Sequence, residues 1–389
     1  MVKDRVLRQA RRWPSTQLGI GVVSRNCVQA AVEIANEHDV DLMLIPSRRQ
    51  IDTRSLGGGY VEGWTAHDLA RFVGDRDPKN RIILARDHGG PWQNSSELER
   101  KLTPEAAMSS AKGSFAEDID AGFSIIHIDP SVSPDGQPDL DVIIDRVFEL
   151  YAYCMEYALK SNRNIAIEVG TEEQDTVARS ILDVELLVNK ISSFCKSAKL
   201  PTPLFVVVQT GTKVVETRNV GSLGSPFRVP GEIPAEVNLP RILTTLRRHG
   251  MLIKQHNTDY LPDEILGRHP HLGIDAANVA PEFGVIESRT FLHVTEANLL
   301  IAERDRFLEL AYKSGKWRKW MAPDSKAKDR ERAIISGHYI FSNPEFGELK
   351  EKVNRALSNR NVDIDDTLKN SVKNGILRYM RAFRLASWA

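Results

Sequence analysis

An aspartate and a histidine, Asp87 and His88, stand side by side where a short apolar segment meets a glycine-rich turn. The segment covers residues 81–86, and Gly89-Gly-Pro91 follows the pair. Such a run, bounded by glycine and proline, is typical of a buried strand that ends in a turn. A carboxylate can move protons and an imidazole can bind a metal ion, so the pair is a candidate for acid–base or metal chemistry. The simpler interpretation of Asp87 is a turn cap.

The same pattern, an apolar run followed by a polar residue and a loop, recurs along the chain. In a parallel α/β protein the carboxyl ends of the strands lie on one face, so we expect these polar side chains to converge. The further candidates are Ser24, Arg48, Arg49, Asp129, Glu168, Glu172, Gln209, His256, Asp259, Asp275 and Asn278.

Two histidines and a glutamate are a common catalytic zinc set, with one coordination position open for substrate. His88 and His256 would supply the imidazoles, and Glu172 or Glu168 the oxygen ligand. Gln209 could fill a weak fourth place or bind substrate. Simpler interpretations compete, because a lone histidine after a strand is usually a hydrogen-bonded loop residue and Glu168 could point outward from its strand.

Eight apolar runs alternate with segments of helical spacing. Alternating β and α elements predict a parallel sheet, and eight strands fit a closed TIM (β/α)8 barrel. We expect the barrel to span residues 1–300 and residues 301–389 to form a helical extension packed on it. The predicted strands cover residues 18–23, 41–45, 81–86, 123–128, 164–169, 204–208, 251–255 and 271–274.

The pair Arg48-Arg49 follows the second predicted strand. Adjacent arginines suggest a bidentate site for an anionic substrate group, phosphate or carboxylate, and a surface salt bridge is the equal alternative. The sequence has neither a Gly-x-Gly-x-x-Gly stretch followed by a helix nor a P-loop. A nucleotide cofactor therefore has no support.

The composition limits the partners and the compartment. The 389 residues include 52 basic and 52 acidic ones, so bulk charge gives no support for nucleic-acid binding. No run of about 18 apolar residues exists, and no membrane span is expected. The three cysteines, Cys27, Cys154 and Cys195, are scattered, which suggests reduced thiols in a cytoplasmic protein.

Taken together, several stretches resemble the accessory-subunit family of tagatose-bisphosphate aldolases, large subunits associated with class II aldolases. Arg86-Asp-His-Gly-Gly-Pro91 is similar to the family's Gly-Asp-His-x-Gly-Pro stretch. The resemblance extends over nearly the whole chain. The other similar stretches are residues 58–60, 121–131, 169–172, 207–209, 256–260 and 377–383.

The resemblance implies a TIM barrel related to zinc-dependent class II aldolases. In those enzymes an Asp-His pair ends strand three, so that His88 would bind zinc and Asp87 would handle a proton. His256 matches the histidine ligand that ends strand seven, and Glu172 lies near the strand-five carboxylates. Gln209 departs from the catalytic pattern, which has a histidine ligand on strand six, and this puts orthodox aldolase activity in doubt.

The first hypothesis is an enzyme that uses Zn²⁺ or another divalent metal. It would act on an anionic ketose by retro-aldol cleavage or by C4 epimerisation, with Asp87 and Asp129 as acid–base candidates. The segment Pro46-Ser-Arg-Arg49 stands where the family usually has Glu-Ala-Thr-Ser, which favours a specialised anionic substrate. The expected metal ligands are His88, Glu172, His256 and Gln209. The residues expected to bind substrate are Ser24, Arg48, Arg49, Glu168, Asp259, Asp275 and Asn278.

The second hypothesis is a non-catalytic subunit that stabilises a separate class II aldolase chain. It rests on the family's role and on glutamine at position 209. A third is a metal-free protein that binds a sugar phosphate. The expected partners are accordingly a small sugar or sugar phosphate, an aldolase catalytic subunit, and further copies of this chain in a homo-oligomer.

Overall fold

A closed barrel of eight parallel strands forms the centre of the molecule, as predicted. The computed structural model describes residues 2–6, 13–136, 138–170, 181–224, 234–360 and 362–386. The described strands are β1 (Gln17–Ile20), β2 (Leu42–Leu44), β3 (Ile82–Gly89), β4 (Ile125–Ile128), β5 (Ala166–Gly170), β6 (Phe205–Val208), β7 (Lys213–Val215), β8 (Arg218–Val220), β9 (Leu252–Gln255) and β10 (Ala276–Val279). The barrel closes in the order β1-β10-β9-β6-β5-β4-β3-β2, and β7 and β8 form a separate antiparallel hairpin.

Helices alternate with the barrel strands and continue after the last one. The described α-helices are α1 (Arg25–Glu37), α2 (Ala66–Gly74), α3 (Ser95–Glu99), α4 (Pro104–Ala121), α5 (Leu140–Lys160), α6 (Ile181–Ala198), α7 (Ala235–Arg248), α8 (Asp263–Leu266), α9 (His269–Leu272), α10 (Pro281–Ala297), α11 (Ile301–Lys313), α12 (Asp329–Ser336), α13 (Pro344–Ala356) and α14 (Ile364–Ala382). Several begin at the caps that the sequence suggests. Thr103 accepts a hydrogen bond from Ala106 N–H at the start of α4, and Thr65 and Asp68 form a capping box at α2.

The prediction of the eighth barrel strand over residues 271–274 is wrong. That segment lies in helix α9 and the turn after it, and the strand is β10. Its sequence, Ala276-Ala-Asn-Val279, has little β-propensity, so the apolar pattern did not reveal it. The correction moves Asp275 to the amino end of the strand, away from the face where ligands bind in a barrel.

Side chains along each barrel strand alternate between the barrel interior and the helix layer. Met43, Ile83 and Phe205 belong to the apolar cluster inside the barrel, whereas Leu42 and Leu44 pack in the cluster between strands and helices. Val2 and Val6, in the helical residues 2–6, also pack against the inner cluster. The same alternation turns four polar side chains inward, towards the carboxyl ends of the strands. They are Asp87, His127, Glu168 and Lys254.

The C-terminal helices have an apolar core of their own. Phe291 of α10, Phe307 of α11 and Phe346 of α13 pack against one another with ring centroids 4.9–5.5 Å apart. Helix α14 then returns to the barrel and packs against α1 and α10. Thr16 N–H, just before β1, donates to the carbonyl oxygen of Phe383, just after α14. The extension is therefore joined to the barrel at both of its ends.

Two composition-based predictions concern membranes and thiols. None of the helices that the structure describes is both long and apolar enough to cross a membrane. Cys27, Cys154 and Cys195 are buried and free. Burial raises the pKa of the Cys27 thiol, so this cysteine is an inert part of the core rather than a nucleophile.

Candidate functional site

A cavity of about 500 Å³ opens at the carboxyl ends of the barrel strands. This volume is in the range of small-molecule binding sites. The C-terminal extension forms part of its wall, so the cavity lies between the barrel and the extension. The polar and aromatic residues that line it include Arg49, Tyr60, Asp87, His88, Gln93, Asp129, His256, Asp259 and Asn278 from the barrel, with Lys319, Trp320, His338 and Tyr339 from the extension.

The two histidines predicted to meet across the barrel mouth lie next to each other. The ring centroids of His88 and His256 are 5.0 Å apart, in an edge-to-face arrangement. His88 lies at the carboxyl end of β3. His256 directly follows β9, and its N–H donates to the carbonyl oxygen of Val208. The closed barrel thus brings together two imidazoles that lie far apart in the sequence.

Two glycines let the tips of β3 and β4 approach closely. A Cβ on Gly89 would lie 2.5 Å from the carbonyl oxygen of His127, and one on Gly90 would lie 2.2 Å from that of Asp129. His88 itself has a φ of 43°, and its N–H donates to Nδ1 of His127 at 3.2 Å. The left-handed backbone is unusual outside glycine, and here it aims the His88 ring at Asp129.

Asp129 holds the ring of His88. Its Oδ2 lies 2.7 Å from His88 Nδ1 and also accepts from Gln93 Nε2 at 2.9 Å. Its Oδ1 accepts from the N–H and the hydroxyl of Ser131. Burial raises the pKa of Asp129, but the hydrogen bond and charge of His88 outweigh it, so the net pKa lies below the ordinary value. When His88 loses its second proton, an ionised Asp129 keeps the remaining one on Nδ1 and leaves Nε2 as a lone-pair donor.

His256 is the second lone-pair donor. Burial and the nearby charge of His88 lower the pKa of His256 to about 3, so the ring is neutral at pH 7. A carboxylate is also close, since Oδ2 of Asp87 lies 3.8 Å from Nε2 of His88. A metal ion would displace the second proton of His88, and two imidazoles beside a carboxylate are then a donor set that fits zinc or a similar divalent ion.

Of the other two predicted ligands, Gln209 alone is among the described residues, and it lies away from the two histidines. Glu172 lies outside the residues that the structure describes. Gln209 does not line the cavity; its side-chain amide donates to the carbonyl oxygen of Thr212 at 2.9 Å. Strand β6 therefore supplies no ligand beside His88 and His256.

Among the described residues, one group of three potential ligands has the spacing of a metal site, and it lies inside the barrel. Potential ligand atoms of Asp87, His127 and Glu168 all lie within 4.8 Å of one another. However, Nζ of Lys254 lies 2.9 Å from both carboxylate oxygens of Glu168, and both side chains are fully buried. This ammonium already neutralises Glu168 and would repel a cation, which disfavours a metal ion inside the barrel.

Two carboxylates in the cavity have pKa shifts of opposite sign. Burial and the charge of Glu282 raise the pKa of Asp259 to about 7, although Oδ1 accepts from the N–H groups of Ala280 and Glu282. At Asp87, burial acts in the same direction, but the charge of His88 and the contact with His127 outweigh it and lower the pKa. Asp87 is therefore ionised at pH 7, while Asp259 can hold a proton.

Of the residues expected to bind substrate, Arg49, Asp259 and Asn278 line the cavity. Asn278 donates to Asp87 Oδ1 at 3.3 Å, and Arg49 donates to the carbonyl oxygen of Gln93 at 3.2 Å. These contacts connect the substrate-binding candidates to the carboxylates around the two histidines.

Arg48 and Asp275 lie elsewhere. Arg48 is fully buried, where its guanidinium pairs with Asp52 and Glu97 and donates to the carbonyl oxygen of Gly90 at 2.7 Å. It therefore supports the loop after His88 and leaves the cavity contact to Arg49. Asp275, at the amino end of β10, accepts from Arg247 and from the N–H of Ile253.

Ser24 and Glu168 are also away from the cavity wall. Ser24 caps α1, accepting from Cys27 N–H, and donates to Oε2 of Glu287 at 2.6 Å. Glu168 points into the barrel, so the alternative that it faces outward is wrong. Its carboxylate forms an ion pair with Lys254. Both residues therefore stabilise the structure around the cavity.

Glu287, the partner of Ser24, should make the stability of this part of the structure depend on pH. Burial raises the pKa of Glu287 to about 7 despite hydrogen bonds from Ser24 and Asn26. Between pH 4.5 and 7 the folded state holds a proton that the unfolded state has lost, so the free energy of unfolding should fall as pH rises. One such group contributes up to about 1.4 kcal/mol per pH unit.

Glu287→Gln is expected to make this decline shallower in urea denaturation at pH 5, 6 and 7. Glu351→Gln, at an exposed position on α13, is the matched control and should keep the wild-type slope. Asp259 titrates in the same direction, so some slope should remain in Glu287→Gln. Equal slopes in wild type and Glu287→Gln would contradict the prediction.

The sequence pattern missed the residues that do not follow strands. Gln93 lies in the loop after β3, and the extension contributes Lys319, His338 and Tyr339 from helical segments. The dense cluster of cations and aromatics in Lys316-Trp-Arg-Lys-Trp320 was the one available signal. Nothing in a sequence pattern tells that this cluster folds over the barrel mouth.

Comparison with known families matches residues 4–173, slightly less than half of the chain, to the family of D-tagatose-1,6-bisphosphate aldolase subunit GatZ/KbaZ-like proteins. The predicted family resemblance is confirmed over this part, which contains Asp87, His88 and Asp129. Comparison with curated proteins gives no match.

Solved structures with the same fold include enzymes of sugar metabolism. A probable tagatose 6 phosphate kinase from Sinorhizobium meliloti 1021 superposes with a TM-score of 0.74 at 18% identity, covering 94% of this chain and 100% of that one. Fructose-bisphosphate aldolase from Campylobacter jejuni gives a TM-score of 0.56 at 11% identity, covering 99% and 93%. Fructuronate-tagaturonate epimerase UxaE from Cohnella laeviribosi gives 0.52 at 12%, covering 98% and 86%. At these identities the likeness establishes the fold.

Proposed function

We propose, starting from the match to this aldolase-subunit family, that the chain is a metal-dependent enzyme acting on a sugar phosphate or related anionic ketose. The reaction would be retro-aldol cleavage or C4 epimerisation. The observation that carries the proposal is the pair His88 and His256, with ring centroids 5.0 Å apart in a cavity of about 500 Å³. The family match and the aldolase and epimerase folds point in the same direction.

His88 and His256 would hold the ion, with Glu172 as the predicted oxygen ligand. When bound, a divalent metal would act as a Lewis acid on the carbonyl and neighbouring hydroxyl of the sugar. Asp129, whose carboxylate takes part in four hydrogen bonds, holds Nδ1 of His88 and leaves Nε2 for the ion. Its part in the proposal is therefore positioning rather than proton transfer.

The proton chemistry falls to the two carboxylates with opposite pKa shifts. Ionised Asp87, beside His88, suits the role of base, and Asp259, with a pKa of about 7, suits the role of acid. Asn278 donates to Oδ1 of Asp87 and keeps that carboxylate turned towards the cavity. Breaking or forming a carbon–carbon bond next to a hydroxyl needs both a base and an acid, so the pair serves either proposed reaction.

Metal analysis of the purified full-length protein tests the proposal. Wild type should hold about one divalent ion per chain, and His88→Ala and His256→Ala should each lose it and lose turnover of phosphorylated ketoses. His67→Ala is the matched control, because His67 is an exposed histidine, 52% accessible, outside the cavity. The absence of metal from every form, including wild type, would count against the enzyme.

A non-catalytic subunit is the second candidate, and two observations favour it. Gln209 replaces the histidine of catalytic class II aldolases and does not reach the cavity. Large apolar side chains are also exposed near the amino ends of α5, α6 and α7, a surface that another chain could cover. They are Val142 (42%), Leu182 (65%), Leu186 (42%) and Val237 (54%). A metal-free protein that raises the thermal stability of a separate aldolase subunit would support this candidate; contact between copies would appear as a homo-oligomer.

A further inference from the structure

The charges that line the cavity are separated into two ends. The carboxylates of Asp87 and Asp129 stand beside the two histidines, and Asp259 lines the same cavity. Towards the C-terminal extension the cavity is lined by two cations, Arg49 and Lys319. A molecule with hydroxyl and carbonyl groups at one end and a negative charge at the other would match this distribution.

Arg49 and Lys319 share one end of the cavity without a counter-ion. Neither forms an ion pair with a carboxylate in the part of the chain that the structure describes. Burial, followed by the charge of Arg49 and then that of Lys316, lowers the pKa of Lys319 to about 7. Two like charges held together in this way are stabilised when an anion binds between them.

Neutral groups around the two cations can complete an anion site. His338 is only 3% exposed, and its Nδ1 has no hydrogen-bond partner among the described residues. Burial and the charge of Lys319 lower the pKa of His338 to about 3, so the ring is neutral and carries one N–H. Because an N–H buried without a partner is costly, the proton belongs on Nε2, which is free to donate to a ligand.

Aromatic rings fix the positions of these groups. The ring of Tyr339 lies 4.0 Å from that of His338 and 4.9 Å from that of Tyr60, measured between centroids. Nζ of Lys319 lies 5.3 Å from the Tyr339 centroid, and Tyr60 N–H donates to the carbonyl oxygen of Arg49. Residues from the extension and from the loop after β2 thus form one packed unit.

We infer that Arg49, Lys319 and His338 bind the phosphate group of the substrate, so that the C-terminal extension completes the active site. Two cations and a neutral donor match a dianionic phosphate better than a monoanionic carboxylate. Arg49 also connects this subsite to the reacting end, because it donates to Gln93, which donates to Asp129. The inference rests on the proposed function in one respect, namely that the bound phosphate belongs to a substrate. Binding of the anion itself can be measured independently of any reaction.

Calorimetric titration of the full-length protein with inorganic phosphate at pH 7, at constant ionic strength set with chloride, tests the inference. Wild type should bind one phosphate, and Lys319→Met and Arg49→Met should each weaken binding about tenfold or more. Lys313→Met is the matched control, since Lys313 is an exposed cation of the extension that pairs with Glu309 and does not line the cavity. It should bind phosphate as wild type does.

Other outcomes would overturn the inference. Equal affinities in wild type and Lys319→Met would remove the extension from the anion site, and acetate binding as tightly as phosphate would exclude a phosphate site. Metal content is measured in the same samples, and Lys319→Met should keep the wild-type amount. Phosphate binding without metal would contradict the proposed function alone, and metal without phosphate binding would contradict this inference alone.

Discussion

Replacing Asp129 by asparagine is expected to weaken divalent-metal binding about 10- to 100-fold, with a matching loss of turnover. Asp129 Oδ2 accepts the Nδ1 proton of His88 at 2.7 Å. An asparagine amide would instead donate to Nδ1 and move the ring proton to Nε2, the nitrogen proposed to bind the metal. A competitive titration with a chromophoric chelator measures the affinity. The tautomer of His88 can be followed by the nitrogen chemical shifts of the labelled ring.

Ser131→Ala is the control for Asp129→Asn. It removes the hydroxyl donor to Asp129 Oδ1 but keeps the Ser131 N–H and leaves Oδ2 beside His88. Metal affinity should therefore stay close to the wild-type value. If Asp129→Asn held metal as tightly as wild type, with His88 still protonated on Nδ1, Asp129 would have no positioning role.

The pattern of strands and the convergence at their ends could be predicted because both follow from local chemistry. Asp87-His88 stands at the end of an apolar run and before glycines, and His256 stands in the same place after β9. Barrel closure then leaves one face on which such residues can meet. The strand error at residues 271–274 arose where this chemistry is weak, since the alanines of β10 do not indicate a strand.

What could not be predicted depends on contacts between distant segments. Arg48 and Arg49 are identical in type and adjacent, yet Arg48 pairs with Asp52 and Glu97 while Arg49 reaches the cavity. Only the packing of α3 and the loop before it decides which arginine is buried. Lys319 presents the same difficulty, because its place over the barrel mouth is set by the apolar core of the extension.

Lys254→Met should lower the free energy of unfolding by about 3–5 kcal/mol, because it leaves the carboxylate of Glu168 buried without its partner. Nζ of Lys254 lies 2.9 Å from both oxygens of Glu168, and neither side chain is exposed. Methionine keeps most of the stem that packs near the ring of Phe205. Urea denaturation at pH 7, with a chelator present, measures the loss.

The double variant Lys254→Met/Glu168→Gln is expected to recover most of this stability, since it replaces the ion pair by neutral groups of similar size. The single variant also separates the two candidate metal positions. With Lys254 gone, Glu168 is free to join Asp87 and His127, so added Zn²⁺ should stabilise Lys254→Met in a way that the double variant lacks. In wild type the same Zn²⁺ should act through His88 and His256, so the single variant Glu168→Gln should keep the stabilisation by Zn²⁺. Loss of that stabilisation in Glu168→Gln would instead place the ion inside the barrel.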